Sequence, residues 1–161
     1  MSASVEEIIK KMEKLLMDKK DALTCIYDLT IKQKEDIESN MGDNLENFID
    51  KKQEQIDKIE IIDNLFNNVF QLLKSEMKVD TLDELDFERY PNLKNIKKQV
   101  IEIIELASKI MEVENKNKEK VDEIMNEIKN ELKRVRSGKK SLDAYDKPNV
   151  NVDGVYIDRK K

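Results

Sequence analysis

Residues 45–77 read LENFIDKKQEQIDKIEIIDNLFNNVFQLLKSEM. Apolar side chains recur at Leu45, Ile49, Ile56, Ile59, Phe66, Phe70, Leu73 and Met77 in steps of three and four or their multiples. That is the seam of a long amphipathic helix of coiled-coil type. Two seam positions, Lys52 and Asp63, are polar. A second set, Phe48, Ile62, Leu65, Val69 and Leu72, widens the stripe, so this helix needs neighbours on more than one side. The stretch is therefore read as the middle member of a helical bundle, holding the scaffold rather than offering a binding surface.

The rest of the chain agrees with that reading. Of 161 residues 40% are charged and 39% hydrophobic, with 3 Gly, 2 Pro and no Trp, the composition of long helices. The net charge of −5 and a pI near 5.1 argue against a general nucleic-acid binder. No apolar run is long enough to cross a bilayer, and Met1 to Glu7 has no signal-peptide pattern. A single cysteine, Cys25, forbids an internal disulfide and fits a cytoplasmic location. With no histidine, a Cys–His or Ser–His–Asp device is excluded, and no metal site or cofactor is expected. Acidic pairs such as Glu6-Glu7 and Asp83-Glu84 are read as helix-start charges, so no enzyme is expected.

Before the central stretch, Ser4 and Glu7 match a capping box, and a stripe runs Ile8, Met12, Leu15, Leu16, Ala22, Leu23, Ile26, Leu29, Ile37 and Met41. The segment Asn40-Met41-Gly42-Asp43 predicts a tight turn, with Gly42 closing one helix and Asp43 with Glu46 capping the next. So short a connection makes helices one and two antiparallel. Lys32-Gln33 before the turn and Lys52-Gln53 after it are read as solvated helix formers.

Beyond the central stretch, Val79 to Tyr90 predicts a connector, with Thr81 and Glu84 starting a short helix over 82–87. Leu82, Leu85 and Phe87 would cover one end of the bundle. Tyr90-Pro91 marks the next start. Helix three is expected from about Pro91 to Ser137. Its stripe is Leu93, Ile96, Val100, Ile103, Ile104, Ala107, Ile110 and Met111, resuming at Val121, Ile124, Met125, Ile128, Leu132 and Val135. Between these lies Glu112 to Lys120, where the seam would bury Glu114 and Asn117. Either those residues fix register inside the bundle or the helix leaves the bundle there; the length of the polar run favours departure. A stripe over 121–135 without intramolecular cover would suit a partner helix; the alternative is that it folds back on helix one.

Gly138 is expected to end helix three, with Lys133, Arg134 and Arg136 complementing its dipole. Residues 1–138 would then form the bundle domain and 139–161 a flexible tail, in which Tyr145 stands among charged residues and Asp153-Gly154 signals a turn. The fold class is all-α: a long antiparallel helical hairpin, a third long helix and an irregular C-terminal tail.

The hairpin carrying Lys32-Gln33 with Ile37, then Lys52-Gln53-Glu54-Gln55-Ile56-Asp57-Lys58-Ile59, Ile62-Asp63 and Phe66, resembles bacterial flagellar export chaperones of the FlgN type. Tyr90-Pro91-Asn92-Leu93, Asn115-Lys116-Asn117, and Gly138 before a Tyr-containing tail are similar too. The resemblance covers nearly the whole chain. It implies a cytoplasmic chaperone of the flagellar type III export system. Such a protein binds the helical C-terminal segments of hook–filament junction proteins and presents them to the export gate. Carried onto this chain, the cargo surface would be Val121, Ile124, Met125, Ile128, Leu132 and Val135, and the gate-docking residue Tyr145, with Tyr156 as an alternative. The partners implied are flagellar hook-associated proteins and an export-gate component, with no nucleic acid and no membrane insertion. Free of cargo, the chain would be a monomer or weak homodimer. The competing reading is a structural coiled-coil scaffold that associates with itself through the same stripe.

Overall fold

A computed structural model describes residues 4–146, with the side chains of Leu82 and of residues 140–146 outside that description. Three long helices, α1 (Val5–Asn40), α2 (Leu45–Met77) and α3 (Asn92–Asp146), and one short 3-10 turn (Leu82–Glu84) make up the regular structure. No strand occurs among the described residues. The all-α class and the helical hairpin are as the periodicity predicts. The chain divides between Asn117 and Lys118 into two units.

In the first unit, α1 and α2 are antiparallel: Lys19 Nζ lies 2.6 Å from Asp63 Oδ1, and Lys52 Nζ donates to Gln33 Oε1 at 2.8 Å. The first half of α3 runs parallel to α1, since Lys20 meets Glu102 and, further along, Thr30 meets Glu114 and Asn117. The densest packing joins Ile8, Ile9, Met12 and Leu16 of α1 to Leu73 of α2, Leu85 of the connector, and Leu93, Ile96 and Ile103 of α3. Each such fully buried side chain contributes on the order of 1.5–3 kcal/mol. This core sits where the connector crosses the bundle. Phe87 and Tyr90 pack against it, and Lys97 ties the connector to α3 through Asp83, 3.2 Å away.

The helix ends show which local signals operate. Ser4 caps α1, its Oγ accepting from the Glu7 N–H at 3.2 Å. At the other end Met41 and Gly42 take positive φ, 57° and 83°, and their N–H groups return to the Asp36 carbonyl. The expected Asp43–Glu46 box does not form. Asn44 is the N-cap of α2 and makes no side-chain cap bond. Its N–H instead donates to Asp36 Oδ2 at 3.0 Å, and its amide to Asp36 Oδ1 at 3.0 Å. A carboxylate eight residues upstream thus replaces the local cap, because the left-handed pair at 41–42 folds the chain back over it.

Three further expectations are corrected. The connector holds a 3-10 turn over Leu82–Glu84 rather than a helix to Phe87; Glu84 Oε2 accepts from the Asp80 N–H at 2.8 Å and closes the turn locally. Helix three does not stop at Gly138 but continues to Asp146. Nothing lies within 4 Å of the position a Gly138 Cβ would take, and a solvent-facing glycine costs a helix only about 1 kcal/mol relative to alanine. Lys133, Arg134 and Arg136 are therefore not at the end of a dipole; the last turn of α3 has no basic residue. Finally, the wide stripe of α2 is not fully covered: Ile49, Ile56, Leu65 and Leu72 remain exposed. Two neighbours cover only part of a stripe that wide.

Candidate binding surface

The polar run before the C-terminal stripe reaches both other helices. Asn117 is buried, and its Nδ2 donates to the Thr30 carbonyl at 3.2 Å. Thr30 is fully buried; its hydroxyl donates to the Ile26 carbonyl at 2.7 Å and reaches Glu114 Oε1 at 3.4 Å. The same Glu114 oxygen is ion-paired with Lys52, which donates to Gln33. Five residues from three helices thus form one polar cluster, in which Thr30, Gln33, Lys52 and Asn117 are buried and Glu114 is half-exposed.

This cluster corrects one reading and sharpens another. Gln33 and Lys52 are not solvated; both are buried, while Gln53 is exposed as expected. Burial holds the Lys52 ammonium below the ordinary lysine range. Glu114 and Asn117 bond across the helices and fix the register there, and the division into two units follows directly after Asn117, so the polar run both sets the register and marks where the packed part of α3 ends. The signal for Lys52 was available, since it interrupts an apolar seam. Nothing in the sequence pairs it with Gln33 or with Glu114, far along the chain.

Past Asn117 the environment changes. Val121 and Ile124 are half-buried, and Met125, Ile128, Leu132 and Val135 are 51, 40, 50 and 58% exposed. Steps of three and four residues put all six on one face of α3. Lys129, Lys133 and Arg136 each follow a stripe residue by one position, which sets them along one flank, and all are exposed. On the opposite flank Glu131 pairs with Arg134 at 3.2 Å. The backbone of Tyr145 belongs to the last turn of α3. Tyr156 and the Asp153-Gly154 turn lie outside the described residues.

Such a surface can bind an apolar helix face. Among the described residues no cluster of His, Cys, Asp or Glu could hold a metal ion, and no helix is long and apolar enough to cross a membrane. Cys25 is a free, half-buried thiol on α1.

No curated protein and no solved structure matches the chain. The family model described as FlgN protein matches residues 1–150. That span takes in the hairpin, the polar cluster, the exposed stripe and Tyr145, and on it the chain belongs to the FlgN family of flagellar export chaperones.

Proposed function

We propose that the chain acts in the cytoplasm, where it covers the helical C-terminal segment of a hook–filament junction protein and presents it to the export gate. The observation that carries this reading is the stripe from Val121 to Val135, four of whose six apolar residues are at least 40% exposed. Apolar side chains at helical spacing gain stability when a partner helix covers them, at roughly 1.5–3 kcal/mol for each Leu, Ile or Val fully buried. Export cargo kept from aggregating needs a reversible apolar cover, and this face supplies one without a cofactor. Residues 139–161 carry gate docking in this reading, with Tyr145 as the anchor, since aromatic residues dominate binding hot spots.

Titration calorimetry with the junction protein's C-terminal segment tests the placement. The Ile128→Asp, Leu132→Asp double variant should abolish measurable binding while circular dichroism shows undiminished helix. Unchanged affinity would reject the stripe as the cargo surface. Tyr145→Ala should leave cargo affinity intact and weaken capture by the export-gate component; loss of both activities would show that tail and stripe are not separable.

A further inference from the structure

A second apolar row lies on the first unit. Asp63 and Ile104 line the same cavity of about 200 Å³, together with Ile62, Phe66 and Val100, so α2 and α3 meet there. They meet again where Lys52 pairs with Glu114. Ile49 and Ile56 precede Asp63 by fourteen and seven residues, and Met111 follows Ile104 by seven, so all four apolar residues lie along this antiparallel seam. They are 51, 45, 60 and 65% exposed for Ile49, Ile56, Ile104 and Met111.

The outer flank of α2 beside this row is acidic. Glu46, Asp50, Asp57 and Glu60, with Gln53 between, follow one another at steps of three and four. All are exposed, and among the described residues none of the four carboxylates is ion-paired. The stripe beyond Asn117 has the complementary design, with apolar residues over 121–135 and a flank of Lys129, Lys133 and Arg136, none of which is ion-paired among the described residues. The lengths agree too. Ile49 to Asp63 and Val121 to Val135 each cover fourteen residue steps, about 21 Å of helix.

We propose that the α2–α3 seam is the docking site for a second copy of this chain, whose residues 121–136 lay their apolar stripe along Ile49, Ile56, Ile104 and Met111 with Lys129, Lys133 and Arg136 against the acidic flank of α2. Exchange is reciprocal, so each chain gives one stripe and receives one, and the contact closes on a two-fold axis. The seam and the stripe of each chain are thereby covered at once. The inference stands on the two faces alone and does not depend on cargo using the same stripe.

Charge reversal on the full chain tests it without touching a buried residue. Sedimentation at tens of micromolar should show a wild-type dimer. Asp50→Lys with Asp57→Lys, and separately Lys129→Glu with Lys133→Glu, should each weaken self-association by about tenfold or more, with helicity unchanged. Mixed in equal amounts, the two variants should recover wild-type association, because each then meets a partner of opposite charge at both contacts. A wild-type chain that stays monomeric overturns the proposal. So do variants that dimerise as tightly as wild type, or a mixture no tighter than its components. The α2 variant keeps the stripe intact, so failure here is distinguishable from failure of the cargo reading.

Discussion

Lys52 shows how much one side chain can settle. It stands in the apolar seam of α2, is buried, donates to Gln33 and pairs with the half-exposed Glu114. A buried ammonium is costly unless its partners are in place, so the helices can pack only where Gln33 and Glu114 meet it. Glu114→Ala should destabilise the fold by about 2 kcal/mol in urea denaturation, less than the full cost of breaking a buried pair because Glu114 is partly solvated. Lys52→Met removes the charge itself and should cost only about 1 kcal/mol, mainly from the abandoned Gln33 oxygen. A reversed order would show that the charge is not what the cluster serves. The pH dependence has a definite sign. Burial makes the folded chain release the Lys52 proton at a lower pH than the unfolded chain, whose lysine value is 10.5. Between those two values the unfolded chain binds more protons, so stability rises with pH in the alkaline window below 10.5. Lys52→Met should lack that rise relative to wild type.

At the scale of elements, the three helices were legible because their periodicity is strong, and their ends were less so. Ser4 behaves as its pattern says, since the whole cap lies within four residues. The start of α2 was misread because its cap comes from Asp36, across a turn whose geometry depends on two left-handed residues. Gly138 was misread for the opposite reason: it has the right identity for a stop but no close neighbour to impose one, and α3 continues. Gly138→Ala should therefore slow amide exchange over residues 134–142, by up to about 1 kcal/mol of local stability. Faster exchange would mean the glycine serves a conformation other than helix.

For the molecule as a whole, the sequence made the exposed stripe on α3 visible, because an apolar repeat resuming after a polar run is a one-dimensional signal. The polar cluster was visible only in part: Lys52, Glu114 and Asn117 interrupt apolar seams, but their pairing with Thr30 and Gln33 joins three helices whose register is set in three dimensions. The α2–α3 seam was hidden for the same reason: the positions left uncovered depend on how far two neighbours wrap a wide stripe. One measurement separates the two units. In dilute chain, hydrogen exchange should be at least about tenfold faster for amides of residues 118–139 than for those of residues 8–37, which lie in the packed hairpin. Protection over 118–139 should rise with protein concentration, and concentration-independent protection there would contradict association through the stripe.

The parallel course of α1 and α3 also fixes an order of events. Hairpin contacts close over separations such as 19 and 44 residues, whereas those between α1 and α3 close over 82, 84 and 87. Longer closures cost more chain entropy, though the cost grows only slowly with length. During synthesis the larger difference is one of timing. All of α1 and α2 exists before the first residue of α3 is made, so the hairpin can close while the rest of the chain is still to come. Helix three then docks on a preformed template, and the stripe emerges after most of that template's apolar surface has been taken. A nascent chain of this design presents its stickiest helix last, when its own core can no longer be invaded by it.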